Sequence, residues 1–426
     1  MKNLMQILVI GSGGREHALC WAFKKSARVS KIFCANGNAG ISEVAECVPI
    51  TPSEVRKLAD FAESRKIDLT FVGGEISLAL GVVDEFESRS LRIIGPKAAA
   101  ARLESSKTFA KEFMARHSVP TAQFLAAPAS EASDALNSGR FGGPGSPVVV
   151  KADGLAAGKG VVVATNRAEA ISAIEEMASR VGSEAASRIV LEECLVGREV
   201  SLIMFADGES FALMPPTRDH KRIGEKDTGP NTGGMGAITD SSLLSEEQTR
   251  EIVETMIEPT LRGCREEHFP FRGILFLGLM ITENGPKLLE YNVRFGDPET
   301  QSILVRLETD IVDICEAMLE GRLSELDISW TQGNSACVIL AAEGYPDKPR
   351  TGDVISGIEK AAARNNVTVF HSGTARNENG EETTSGGRVL GVTATGNDLE
   401  TALMRAYRAV GDIDWTGIQF RRDIGK

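Results

Sequence analysis

Residues 148–164 read "VVVKADGLAAGKGVVVA": a β-branched run ending in Lys151, a glycine-rich turn with Lys159, then a second β-branched run. The Walker phosphate loop does not fit, because it needs glycine where Asp153 stands and serine or threonine where Gly160 stands. A Walker loop also opens a helix, whereas "VVVAT" favours a strand. The stretch therefore predicts strand, glycine turn, strand. In such a hairpin Gly154, Gly158 and Gly160 let backbone N–H groups approach phosphate oxygens, and Lys151 and Lys159 supply charge. Each lysine about 4 Å from a phosphate is worth on the order of 4 kcal/mol before desolvation, at an effective dielectric near 20. An ordinary surface hairpin with a solvated lysine has the same composition, so the rest of the chain must decide between them.

The 426 residues suffice for roughly three domains of about 150 residues each. With 47 Lys and Arg against 59 Asp and Glu, the net charge of -12 disfavours nucleic acid and anionic membrane surfaces as partners, so an anion site must be local. Seven scattered cysteines, without a Cys-x-x-Cys pair, indicate neither a disulfide framework nor a zinc site and fit a reducing, cytoplasmic setting. The six-residue apolar run before Gly11 is too short for a signal-peptide core or a membrane span.

Residues 1–104 alternate short apolar runs ("QILVIG", "KIFCAN", "LTFVGG", "LRIIG") with helical patterns, which predicts a parallel, Rossmann-like sheet. Thr51 to Glu54 has capping-box form, with Pro52 expected at the first helical position. The loop "VIGSGGREHAL" places Gly11, Gly13 and Gly14 between strand and helix, yet position 16 is Glu, not the third glycine of a dinucleotide fingerprint. A nicotinamide cofactor is disfavoured; a smaller phosphorylated ligand and a purely structural turn both remain open.

In "LLEYNVRFGDPET", Glu290, Asn292 and Arg294 alternate onto one strand face, with Leu289, Tyr291 and Val293 on the other. Two oxygen donors beside a guanidinium suit a hard divalent cation on nucleotide phosphates, with the arginine on a reacting anion. The loop "TRDHKRIGEKDTGPNTGGMGA" (217–237) is too polar and glycine-rich for core and reads as a substrate loop. A single histidine there, His220, does not make a metal site. In "RIVLEECLVGREVSL", Glu192 and Glu193 end a strand ahead of Leu195 and Glu199, a hinge able to offer backbone groups to an adenine and a carboxylate to a ribose.

Taken in order, these segments resemble the ATP-grasp ligases: Lys107 before the lid, Lys151 to Gly160 in it, a Glu192–Leu195 hinge, and the metal strand with Glu290, Asn292 and Arg294. Within that superfamily, "VIGSGGREHAL", "KADGLAAGKGVVVA", "DHKR", "DTGPNTGGMGA", "RFGDPETQ", "RTGDVI" and "GGRVL" resemble the phosphoribosylamine–glycine ligase family along essentially the whole chain. The resemblance implies an N-terminal Rossmann-like domain (1–104), an ATP-grasp fold of two α+β subdomains (105–190 with the lid, 191–328 with the metal), and a small β-rich C-terminal domain (329–426). It implies a ligase joining glycine to 5-phosphoribosylamine at the expense of ATP, with Mg²⁺ or Mn²⁺ on Glu290 and Asn292. Arg294 and Lys151 are the implied catalytic residues. ATP falls to Lys107, Lys151, Gly154, Gly158, Lys159, Gly160, Glu192, Glu193, Leu195 and Glu199. The other substrates fall to Gly11, Gly13, Gly14, Glu75, Asp219, Thr232, Gly233, Arg294, Gly296 and Asp297. A monomer or weak dimer is expected, with transient contact to the enzyme that supplies phosphoribosylamine. An ATP-grasp ligase for another small acid or amine is the nearest alternative.

Overall fold

The computed structural model describes residues 4–155 and 160–426. Gly158 and Lys159 lie outside the described residues. The alternating N-terminal pattern builds β1 (Met5–Gly11), β2 (Val29–Asn36), β3 (Glu46–Val48), β4 (Leu69–Val72) and β5 (Ile93–Ile94), all parallel, in the order β3-β2-β1-β4-β5. Ile7, Leu8, Val9 and Ile10 are all fully buried, because helices cover both faces of the sheet and a run of apolar residues replaces alternation. The strand order reverses between β1 and β4, opening a crevice at their C-terminal ends where Gly11–Gly14 and Gly73–Glu75 emerge. One expectation fails here. The Thr51 N–H does donate to Glu54 Oε2 (2.9 Å), but the Glu54 N–H closes a turn on the Thr51 carbonyl (3.0 Å), so the helix starts only at Val55 and Pro52 sits in that turn.

The lid strands form their own antiparallel sheet. β6 (Phe124–Pro128), β7 (Val148–Ala152), β8 (Val161–Ala164) and β9 (Arg188–Glu193) lie in the order β6-β9-β7-β8, and Lys151 faces Val161 across the hairpin. Helices at Ala129–Asn137 and Arg167–Val181 cover this sheet, and Leu136, Val148, Val150, Met177 and Leu191 make a core separate from the others.

The third sheet holds β10 (Arg198–Asp207), β11 (Phe211–Leu213), β12 (Thr217–Asp219), β15 (Gly236–Thr239), β16 (Arg272–Thr282), β17 (Gly285–Asn292), β18 (Asn334–Ala341), β19 (Val367–His371) and β22 (Arg388–Gly396). Its order is β17-β16-β10-β12-β15-β18-β22-β19, with β11 beside β10. Two small hairpins project from it, β13 (Arg222–Gly224) with β14 (Thr228–Asn231) and β20 (Thr374–Arg376) with β21 (Glu382–Thr384). Because β15 pairs with β18, the sheet continues across the expected boundary at 328/329. Leu8, Phe113, Leu277 and Tyr291 share one core, which joins the first sheet to this one. The strict alternation expected along β17 is interrupted: Gly278 opposes Glu290 while Leu279 opposes Leu288, so Leu289 is the extra residue of a bulge. Beyond the bulge Glu290 and Asn292 share a face, and Tyr291 on the other is buried with its hydroxyl on Thr260. Among the described residues no helix is long and apolar enough to cross a membrane.

Candidate active site

Four cations from four elements converge on Glu290. Lys151 ends β7, Lys107 opens the helix Lys107–Arg116, Lys221 follows β12, and Arg294 follows β17. Burial pushes the Glu290 carboxyl up, but the charges of Lys221, Lys151, Lys107 and Arg294 outweigh it and hold the group below the usual carboxylate range. Lys107 is positioned by local capping. Ser106 accepts from the Phe109 N–H (3.1 Å) and Asp153 Oδ1 from the Thr108 N–H (3.1 Å), which ties the helix start to the lid stem. Lys107 Nζ then donates to the Gly154 carbonyl (3.0 Å), where φ is +126° and glycine is required. Gly160 closes the described end of the lid, its carbonyl accepting from the Ala152 N–H (2.8 Å). Burial weakens the proton affinity of Lys107, with Glu290 and Asp153 among the groups opposing it.

Arg294 is gripped on several sides. It reaches Glu104 Oε1 (2.8 Å), Glu75 Oε2 (3.2 Å) and Asn292 Oδ1 (3.2 Å). Glu104 also accepts the Val293 N–H (2.8 Å), fixing the chain as it leaves β17. Burial raises the Glu75 carboxyl, yet Arg294 and then Arg15 more than offset it and bring it down to about 2. Burial dominates at Glu104, whose carboxyl is raised despite Arg294. An ionised carboxylate and a carboxamide oxygen on one strand face are hard donors, and no cluster of three or more His, Cys, Asp or Glu suited to a metal occurs among the described residues. Glu290 and Asn292 would suit a hard divalent cation such as Mg²⁺.

In the hinge Glu192 is buried, with Oε1 2.8 Å from Lys151 and Oε2 3.2 Å from Lys111. Glu193 accepts the Gln123 N–H (2.9 Å), Leu195 is half-buried in the loop after β9, and Glu199 pairs with Lys221 (2.9 Å). The Glu193 N–H donates in turn to the Gln123 carbonyl (3.0 Å).

The remaining expected residues surround the crevice. Glu16 fills the space where a third glycine would leave room: its Oε2 accepts the Gly13 N–H (2.6 Å), and a Cβ on Gly11 would lie 2.5 Å from its side chain. Gly13 and Gly14 instead meet other segments. A Cβ at Gly13 would be 3.3 Å from Asp297, and one at Gly14 2.5 Å from Gln301 and 2.6 Å from Ser372. Asp297 pairs with Arg388 (3.0 Å) from the last segment, and that arginine and Arg15 outweigh burial and depress the Asp297 carboxyl. Arg388 also donates to the Gly233 carbonyl, while the Gly233 N–H donates to the Tyr345 hydroxyl (3.0 Å). Thr232 spends its hydroxyl within the loop, donating to the Lys221 carbonyl (2.8 Å) and accepting the Gly234 N–H (3.0 Å). A Cβ at Gly296 would lie 2.3 Å from the Glu299 carboxylate, which would have to move aside. Asp219 keeps a buried Oδ1 without a hydrogen-bond partner; burial first, and then Glu299, push its carboxyl well up. Glu104, Lys111, Glu299 and Arg388 were not singled out from sequence; the one available signal was the four-residue spacing of Lys107 and Lys111 on a helix.

A β7–β8 hairpin beside a cluster of cations, in an antiparallel lid sheet facing a strand that bears carboxylate and carboxamide, is the architecture of an ATP-grasp enzyme. Residues 5–104, 105–300 and 335–426 match the N domain, the ATP-grasp (A) domain and the C domain of phosphoribosylglycinamide synthetase. The chain belongs to the phosphoribosylglycinamide synthetase family. It is 47% identical over 425 residues to phosphoribosylamine–glycine ligase of Xanthomonas axonopodis pv. citri, covering 99% of this chain and 97% of that one. The enzyme of the same name from Vibrio parahaemolyticus is also 47% identical, over 99% and 98% of the two chains. The crystal structure of phosphoribosylamine–glycine ligase from Thermotoga maritima superposes with a TM-score of 0.84 at 32% identity, covering 98% of this chain and 99% of that one.

Proposed function

We propose that the protein joins glycine to 5-phosphoribosylamine, forming glycinamide ribonucleotide, ADP and phosphate in purine biosynthesis. A glycine carboxylate oxygen attacks the γ-phosphorus of ATP and ADP departs, giving glycyl phosphate. The sugar amine then attacks the carbonyl carbon, phosphate departs with its bonding pair, and the amine loses a proton. The observation that carries this reading is the convergence of Lys107, Lys151, Lys221 and Arg294 on Glu290, a preorganised positive field where a phosphoryl group would transfer. Glu290 and Asn292 would hold Mg²⁺ or Mn²⁺, which neutralises phosphate charge when bound. The separate core of the lid sheet supports its movement as a unit to exclude water from the acyl phosphate. The unpartnered Asp219 oxygen beside Glu299 suits the glycine ammonium, and the loops at Gly11–Gly14 and Glu75 suit the phosphoribosyl group.

The negative net charge and local cation cluster fit small anionic substrates in the cytoplasm rather than nucleic acid or membrane. We read the working form as a monomer or weak dimer that meets the enzyme supplying its unstable amine transiently. The deciding assay measures ADP release with freshly generated phosphoribosylamine and glycine, alanine or β-alanine. Turnover restricted to glycine is expected; equal turnover with β-alanine would assign the chain to an ATP-grasp ligase of another acid.

A further inference from the structure

Lys111 has no part in the reaction described above, yet it stands one helical turn after Lys107 on the helix that opens the cleft. Its side chain is 3% exposed, that of Glu192 2%, and that of Lys151 8%. The Glu192 carboxylate is divided between them, Oε1 to Lys151 (2.8 Å) and Oε2 to Lys111 (3.2 Å). Lys111 Nζ also donates to Thr121 Oγ1 (2.7 Å), and Thr121 donates to the Leu288 carbonyl, so the ammonium is held from two sides. We propose that Lys111 is a positioning residue for nucleotide binding: by occupying half of the Glu192 carboxylate, it leaves the Lys151 ammonium with charge to spare for a phosphate.

Around Glu192 two ammonium groups share one carboxylate and leave a surplus of one positive charge, while Glu290, which also faces Lys151, is offset by Lys107, Lys221 and Arg294 as well. Without Lys111 the carboxylate would match Lys151 one for one, and the cluster would present no net charge to an incoming polyphosphate. Burial and the nearby Lys151 bring the proton affinity of Lys111 down to about 8, with Glu192 pulling the other way, which agrees with a cation held in place by its partner.

This inference rests on the reading that Lys151 faces the phosphates of ATP. The experiment measures the dissociation constant of a non-hydrolysable ATP analogue by calorimetry, and KM for ATP and for glycine. The variants are Lys111→Met, Glu192→Gln, their double, and Lys151→Met as control. Lys111→Met is expected to weaken nucleotide binding by about tenfold, the size of a unit charge removed at roughly 12 Å in a medium of dielectric near 20, with KM for glycine unchanged. The double variant restores the surplus charge and is expected to recover most of that loss. Glu192→Gln alone completes the cycle, so that the Lys111 effect is measured with and without the carboxylate it shares with Lys151.

Unaltered nucleotide binding in Lys111→Met would overturn the proposal. So would a double variant as impaired as Lys111→Met, since that is the behaviour of a side chain needed only for packing. Should Lys111→Met fail to fold, Lys111→Arg decides instead: it keeps the positive charge beside Glu192, so nucleotide binding weakened about tenfold there refutes the charge argument. Unchanged binding in Lys151→Met would instead remove the premise, a failure distinct from the others.

Discussion

Replacing Arg294 by methionine probes the site where its charges are most concentrated. The guanidinium bridges Glu75 (3.2 Å), Glu104 (2.8 Å) and Asn292 (3.2 Å), so its loss leaves two carboxylates facing each other in a mostly buried pocket. The fall of the Glu75 carboxyl from 4.5 to about 2 corresponds to about 3 kcal/mol of preference for the ionised form, shared between Arg294 and Arg15. Since the folded-state value is the lower one, this stabilisation is complete above about pH 4.5 and disappears as the pH falls toward 2. Arg294→Met should therefore destabilise the fold at pH 7 by on the order of 1–3 kcal/mol, and the gap between parent and variant should narrow steadily below pH 4.5. Glu104, already raised by burial, would take up a proton in the variant, which limits the loss to that order. Turnover should fall roughly a hundred- to a thousandfold, the usual effect of deleting one contact to a transition-state anion. Denaturant unfolding at pH 7 and pH 3.5, with steady-state ADP release at pH 7, measures both. A stability gap that does not change with pH would refute the electrostatic account of Glu75, and near-parental turnover would remove Arg294 from the chemistry.

Arg421, 2% exposed, reaches Asp423 with two nitrogens (2.8 Å each), Asp227 (2.7 Å) and the Arg222 carbonyl (3.1 Å), clamping the β13–β14 hairpin that follows Lys221. Arg421→Gln should cost about 3 kcal/mol or more and expose 222–231 to limited proteolysis; an unchanged cleavage pattern would show that the clamp does not order the hairpin. Gly14→Ala would set a Cβ 2.5 Å from Gln301 and 2.6 Å from Ser372, so despite better helix propensity it should lose about 1–3 kcal/mol in thermal or denaturant unfolding. A neutral or stabilising result would mean that the two segments separate easily. Burial lowers His17 to about 3 and His371 to about 4, and the His371 N–H donates to His17 Nδ1 (2.8 Å). Both folded values lie below 6.5, so stability is full above that pH and declines as the pH falls, the unfolded chain binding the protons first. His17→Gln should flatten this decline by about 1.4 kcal/mol per pH unit between pH 6 and 4, as read from unfolding free energies; an unchanged slope would mean that His17 is not buried as a neutral ring.

The β7–β8 hairpin and the alternation around Glu290 were legible because their pattern is written in adjacent residues. A β-branched run on each side of a glycine turn makes a hairpin wherever it stands, and two-residue periodicity puts Glu290 and Asn292 on one face even though a bulge at Leu289 precedes them. The parallel N-terminal sheet was legible for the same reason, its strands and helices alternating at short range. Local pattern could not say which partners distant residues would find. Glu192 read only as part of a hinge at a strand end, and its place as a buried counter-ion follows from β9 lying beside β7, which sets it against Lys151, with Lys111 arriving from a helix. Glu104 and Arg388 were invisible because each acts on a residue almost two hundred or about ninety positions away. The amino-acid order alone determined the turns, the alternating faces and the residue types that can hold phosphate and a divalent cation. Only the tertiary structure decided which charges neutralise one another and which remain free, because that balance depends on separation in space and on exclusion of water, and neither is a property of neighbouring residues in the chain.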